Sequence, residues 1–164
     1  MSLGPSSNPQ ILKSSNLPKM DNYYPPASFY FRVEFGISKD TNDARFQSVS
    51  GLTVEYDMEP FKEGGENRFE HKLPGRTKYS DLVLKRGMLT DSAVVDWCFK
   101  AFRDREFEPT DVIVKLLNEN GEPLRAWKVV RAWPKKWSIS DFNSTTNEVA
   151  VETLELSYRY FEVI

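Results

Sequence analysis

The stretch Ala132-Trp133-Pro134-Lys135-Lys136-Trp137 is followed, after a short polar interval, by Asn147-Glu148-Val149-Ala150-Val151-Glu152-Thr153-Leu154-Glu155-Leu156. Two tryptophans bracket a proline and two lysines. Proline cannot donate to a strand ladder, so large apolar area is placed where a strand is expected to end, beside charge that is not deeply buried unless paired. Trp133, Pro134 and Trp137 therefore read as a packing corner or an interface. The stretch holds no nucleophile, metal cluster or phosphate loop, and it points to a protein that works by assembling.

Outward from this corner the chain reads as strands. The segment from about Leu124 to Trp133 is expected to be one strand, and that from about Glu148 to Phe161 the last one. In the latter Val149 and Val151 fall on one face and Leu154, Leu156, Tyr158 and Tyr160 on the other, which predicts a bulge or burial on two sides. Asn118-Glu119-Asn120-Gly121 is a hairpin turn, because Asn-Gly supplies positive φ angles. Asp111 to Leu117 is apolar on both faces and is expected to be covered twice. Val94, Trp97, Cys98, Ala101 and Phe102 form one helical stripe, with Thr90 or Asp91 as its cap and Asp96, Lys100, Arg103 and Asp104 on the other side. Lys78 to Arg86 is a strand. Residues 59 to 76 carry Gly64-Gly65 and Pro74-Gly75 and read as a long loop interrupting the sheet. Leu52, Val54, Tyr56 and Met58 alternate with polar residues after the turn at Ser50-Gly51, and Ser28 to Phe35 alternates after Pro25-Pro26. The expected fold is mainly β: a six-stranded antiparallel barrel or sandwich-like barrel with one packed α-helix and a long extended loop.

The chain has 164 residues, which fits one domain. Residues 1–22, with Gly4, Pro5, Pro9, Pro18 and many serines, read as a flexible N-terminal arm without the pattern of a secretory signal, and residues 23–164 as a single domain. Lys and Arg number 22 against 24 Asp and Glu. This near balance lacks the basic footprint that nucleic-acid binding favours. No apolar run approaches the roughly 20 residues that span a bilayer, so direct membrane insertion is not expected.

Candidate chemistry fares poorly. His71 lies between Glu70 and Lys72 with no nucleophile signature around it, and reads as an exposed loop histidine. Cys98, the single cysteine, lies on the apolar stripe, where a small hydrophobe is the ordinary role. Glu63-Gly64-Gly65-Glu66 lacks the lysine-serine ending of a phosphate loop, and its carboxylates repel phosphate. Glu148, Glu152 and Glu155 have no histidine nearby and read as solvated or salt-bridged. Lys135-Lys136 between tryptophans resembles a base-stacking platform, but no basic groove accompanies it. No catalytic, cofactor-binding or metal-binding residue is assigned, and the expectation is a non-enzyme without cofactors. The aromatic residues are the remaining feature, with 4 Trp, 7 Tyr and 11 Phe. Tyr23, Tyr24, Tyr30, Phe61 and Phe69 fall outside the apolar faces, where protein interfaces favour such side chains.

Several segments resemble the inner-tube proteins of contractile phage tails and of extracellular contractile injection systems. They are Phe46 to Leu52, Phe61 to Gly65, Lys72 to Gly87, Asp96-Trp97, Leu116 to Gly121 and the opening stretch through Leu156, in family order across residues 23–164. The family's last strand commonly carries His and Gly, whereas this chain ends Ser157-Tyr158-Arg159-Tyr160-Phe161-Glu162-Val163-Ile164.

The resemblance implies a barrel-like subunit in rings of six. Sheets of neighbouring copies join around a channel, and rings stack into a rigid tube that serves as piston and cargo conduit inside a contractile sheath. It implies as partners other copies of the chain, sheath, baseplate and terminal cap proteins, and cargo in the lumen. It also implies synthesis in a bacterial cytoplasm and assembly into a particle that is released or membrane-anchored. Phe61, Lys62, Glu63, Gly64, Gly65, Glu66, Asn67, Arg68, Arg76 and Lys78 are the candidates for contacts between subunits and rings. Lys100, Arg103 and Asp104 are the candidates for sheath contact. The rivals are the tail tube of a phage that passes DNA, the tube protein of type VI secretion, and, in a different class, a small-molecule-binding β-barrel.

Overall fold

Strand β7, Pro123–Ile139, runs through two sheets of the computed structural model, which describes residues 30–39, 43–61, 71–145 and 148–164. The other strands are β1 Phe31–Phe35, β2 Ser48–Ser50, β3 Val54–Phe61, β4 His71–Tyr79, β5 Leu82–Gly87, β6 Thr110–Leu117, β8 Val151–Ser157 and β9 Tyr160–Val163. Helix α1 spans Ala93–Phe99 and continues as a π-helical turn over Lys100–Asp104. The first half of β7 pairs with β6 on one edge and β9 on the other, and its second half pairs with β8.

The change of partner happens at a bulge. Val112 pairs with Val129 and Thr110 with Ala132, so Asp111 faces two residues of β7. The extra residue, Arg131, takes a left-handed φ of 56°. Its N–H donates to Asp111 Oδ1 at 3.0 Å, which fixes the kink. β7 therefore does not end at the tryptophans as expected. Pro134 lies beyond the last β6 pair and beside a register shift against β8, positions where a missing N–H breaks no regular ladder.

One sheet has the order β1-β6-β7-β9 and the other β7-β8-β5-β2, all pairs antiparallel. The fold is mainly β with one α-helix, as expected, but among the described residues the strands do not close into a six-stranded barrel. The path ends at β1 and β2 without joining them. A physical reason lies on the β1 edge, where the Val33 N–H is already taken by the Ala44 carbonyl at 3.2 Å.

The space between the sheets is filled. Val33 and Phe35 of β1, Val112 and Val114 of β6, Leu82 and Leu84 of β5, and Leu154 and Leu156 of β8 meet Val94, Trp97 and Cys98 of α1 in one cluster. Each fully buried leucine contributes about 1.5–3 kcal/mol relative to exposure. This is a solid core rather than a ligand chamber.

Local expectations fare unevenly. The Asn118 turn forms, with Gly121 at φ 80° and Asn118 Oδ1 accepting the Asn120 and Glu122 N–H groups. The helix cap is Ser92, not Thr90 or Asp91, and Phe102 leaves the stripe to be exposed because the π turn shifts the helical phase. β6 is buried on one face only, at Val112 and Val114. The last strand divides into β8 and β9. Within β8 the register against β5 is unbroken, so no bulge explains the phase slip. Glu152 explains it, as a buried carboxylate in line with Leu154 and Leu156. Residues 1–29, which include the N-terminal arm, Tyr23 and Tyr24, lie outside the described residues.

Candidate assembly interface

The stretch read as a long loop is largely a β-hairpin. β3 and β4 form a separate two-stranded sheet, with Val54 opposite Tyr79, Tyr56 opposite Thr77 and Met58 opposite Pro74. Alternation along β3 puts Val54, Tyr56, Met58 and Pro60 on one face and Glu55, Asp57 and Glu59 on the other. In most amphipathic strands the apolar face is covered. Here Val54 is 49%, Tyr56 59% and Met58 57% exposed, so the hairpin stands clear of the core as an arm.

Its root is held firmly. The Tyr79 ring packs edge-on against Tyr158 and Phe161, at centroid distances of 6.0 and 5.6 Å. The Tyr158 hydroxyl donates to the Gly51 carbonyl at 3.0 Å, and burial, with Asp81 and Tyr79 adding, pushes its phenol up to about 12. Gly51 has φ +94°, and a Cβ there would lie 1.8 Å from the Asp81 carbonyl oxygen, so only glycine lets the chain pass.

Of the residues assigned to subunit and ring contacts, Arg76 and Lys78 are exposed on β4. Phe61 pairs with His71 at the outer end of the arm, while the side chains of both lie outside the described residues. Lys62, Glu63, Gly64, Gly65, Glu66, Asn67 and Arg68 also lie outside them, as does Phe69. Lys100, Arg103 and Asp104 are exposed on the π turn, where Arg103 Nε donates to Asp104 Oδ1 at 3.0 Å. They do not meet the arm. The arm's root lies near Leu82 and Leu156, whereas the helix starts at the other end of β5 and β8, near Arg86 and Glu152.

The helix end contains a buried polar cluster that sequence reading missed. Arg86 and Glu152 face each other across β5 and β8 and form an ion pair. Arg86 also donates to Ser92 Oγ at 2.7 Å and lies 3.4 Å from Asp43 Oδ1. Asp43 accepts from the Ala93 N–H at 3.2 Å and from Ser38 Oγ at 2.7 Å. Burial acts to raise the Asp43 carboxyl, but hydrogen bonds from Ser92 and Ser38 and the Arg86 charge outweigh it and hold the group below its ordinary value. The available signal was the parity of Glu152 with Leu154 and Leu156.

At the corner, Pro134 is fully buried, Trp137 packs edge-on against Phe99 at 5.0 Å, and Trp133, 36% exposed, meets Phe107 at 5.7 Å. Lys135 pairs with Asp81 and Lys136 with Glu155, so the lysines rim the corner. Cys98 is buried, and burial, with the Glu152 charge adding, pushes its thiol up to about 12. Among the described residues no group of three or more His, Cys, Asp or Glu could hold a metal ion, and no helix is long and apolar enough to cross a membrane.

No curated protein sequence matches the chain. Among solved structures it is similar to a chain in the cryo-EM structure of the anti-feeding prophage (AFP) baseplate, 6-fold symmetrised. Identity is 29% and the TM-score 0.77, over 86% of this chain and 96% of that one. A chain in an extracellular contractile injection system, the PVC sheath-tube complex in extended state, is 28% identical with a TM-score of 0.74, over 87% and 93%. A type six secretion system protein, 16% identical with a TM-score of 0.55 over 82% of each chain, shares the fold. Apart from Val163 at the end of β9, the strands, the helix and the projecting arm fall within residues 27–162, which match the T4-like virus tail tube protein gp19 family, and the chain belongs to that family.

Proposed function

We propose that this tube protein forms rings of six that stack into the rigid inner tube of a contractile injection particle, acting as piston and conduit within a sheath. The observation that carries the reading is the β3/β4 arm, whose apolar face is uncovered among the described residues and is the kind of surface that another copy covers. The four-stranded sheet β1-β6-β7-β9 supports it. Its outermost strands β1 and β9 run in opposite directions, so a head-to-tail joint between β9 of one copy and the β1 side of the next, where Ala44 already takes the Val33 N–H, brings antiparallel strands together. Four strands at about 4.8 Å spacing give roughly 19 Å per copy, and six copies a wall roughly 40 Å across.

Sheath, baseplate and terminal cap proteins are the proposed partners, since similar chains occur in an AFP baseplate, a PVC sheath-tube complex and an AFP tube terminating cap. The same likeness favours an extracellular injection particle over a DNA-passing phage tail. Synthesis in a bacterial cytoplasm, an N-terminal arm over 1–22 ahead of one domain over 23–164, the absence of enzymatic activity, and sheath contact through Lys100, Arg103 and Asp104 belong to the same reading. Phe61 to Arg68, with Arg76 and Lys78, extend the arm's contact surface. The test is Tyr56→Ser combined with Met58→Ser in the full chain. Tubes seen by electron microscopy of the unchanged protein should be lost while thermal unfolding stays within a few degrees; normal tubes from this variant would remove the arm from the interface.

A further inference from the structure

The strand path leaves a seam where its two ends, β1 and β2, fail to join. An apolar groove opens there, lined by Phe31, Val49, Leu52, Leu116 and Trp127 around the buried Val114. Phe31, Val49, Leu52 and Trp127 pack against the core on one side and stay half-buried. Gln47 and Ser48 line the β2 side and are exposed. Apolar surface continuous with the core sheds its water only when something is laid along it.

The place where the chain enters the fold decides what lies nearest. The described residues begin at Tyr30, next to Phe31 in the groove wall. The Leu117 N–H donates to the Tyr30 carbonyl at 2.8 Å and the Gly36 N–H to the Asp111 carbonyl at 3.0 Å, so the even-numbered residues of β1 turn their backbone groups toward β6. Phe31, between them, turns its N–H and carbonyl toward the seam. The Ala44 carbonyl covers the same edge at Val33, two residues further in. The 29 residues before Tyr30 therefore join the fold at the mouth of the groove.

The sequence of that segment suits the site. Phe29 is in phase with Phe31, Val33 and Phe35, and Tyr23-Tyr24-Pro25-Pro26 precedes it. From Tyr24 to Phe29 an extended chain spans about 17 Å, more than the roughly 10 Å between packed sheets, so the tyrosines reach the β2 side. Pro25 and Pro26 have a fixed φ and lose less freedom when the segment is ordered. Tyrosine brings an apolar ring with a polar tip, which matches an apolar floor bordered by Gln47 and Ser48.

We infer that the groove between β1 and β2 seats the chain's own residues 23–29, with Phe29 beside Phe31 and the rings of Tyr23 and Tyr24 toward Val49 and Leu52. The occupant comes from the same chain because a short tether holds it at about millimolar effective concentration, ahead of a second copy free in solution. The seam is closed by the chain's own start, whether or not rings form.

The test is a pair of cysteines in the full chain. Tyr24→Cys with Ser48→Cys should form a disulfide under mild oxidation, and mass spectrometry of mixed unlabelled and isotope-labelled chains tells a bond within one chain from a bond between two. The expected bond lies within one chain and forms about tenfold faster than that of Ser15→Cys with Ser48→Cys, whose first cysteine precedes the seated segment. Bonds between labelled and unlabelled chains would give the groove to a second copy, and equal rates for the two pairs would show a tether without a seat; either result overturns the inference. Hydrogen exchange of the unchanged full chain is the second measurement. Amides within residues 23–29 should exchange at least about tenfold more slowly than in a free chain, and Tyr23→Ser with Tyr24→Ser should remove that protection. Free-chain rates over 23–29 in the unchanged protein would overturn the inference even if the cysteine variants failed to fold.

Discussion

Arg86 is 2% exposed and set between the carboxylates of Asp43 and Glu152 and the hydroxyl of Ser92, with the Phe46 ring 5.0 Å beneath its guanidinium. A buried pair of this kind gains less than its Coulomb energy, but removing one member strands the other charge away from water. Arg86→Ala should therefore destabilise the fold by about 3–5 kcal/mol in chemical denaturation, and Arg86→Met with Glu152→Leu by clearly less. The Asp43 carboxyl is depressed below its ordinary value of 3.8, so it adds stability that is present above about pH 4 and lost as pH falls through its folded value. Unfolding titrations should show Asp43→Asn with a flatter acid limb than the unchanged protein. Cys98 lies at the other extreme. With its thiol pushed up to about 12 and buried, it should resist alkylation at pH 8 in the native state and react on unfolding, as mass spectrometry of iodoacetamide-treated protein would register. A thiol that reacts at the rate of an exposed cysteine in the native state would contradict the packing described around α1.

The bulge in β7 is the feature that sends one strand through both sheets. Its centre, Arg131, holds φ 56°, where a branched side chain is strained and glycine is not. Arg131→Gly should change stability by no more than about 1 kcal/mol, whereas Arg131→Val should cost roughly 1–3 kcal/mol by thermal unfolding. The bulge was not legible beforehand. Trp133-Pro134 looked like a stop because proline's missing N–H is disallowed in a central strand, and only the change of pairing partner reveals that the position tolerates it. The arm was hidden for a related reason. Pro74-Gly75 reads as a turn, yet it lies within β4 where an irregularity opposite Asp57 absorbs it. Glu152 disguised β8 as a slipped strand, since its partner Arg86 lies 66 residues away. What could be read were elements whose pattern is local: the alternation of β1, the Asn118 to Gly121 turn and the helix stripe from Val94 to Ala101.

At the scale of the whole molecule, the two halves of the structure have different work. The sandwich core, closed around Leu82, Leu84, Leu156 and Val129, needs no partner to be dry. The apolar face of the arm, exposed at Val54, Tyr56 and Met58, is the surface left for one. The family resemblance was legible from dispersed short motifs, and the family match over residues 27–162 bears it out. The most direct test of the central claim is cryo-electron microscopy of the purified full chain across a concentration series. The account predicts rings with sixfold symmetry whose inner sheet wall is roughly 40 Å across, stacking head to tail as concentration rises; particles that stay monomeric at every concentration, or that pair about a two-fold axis, would contradict it.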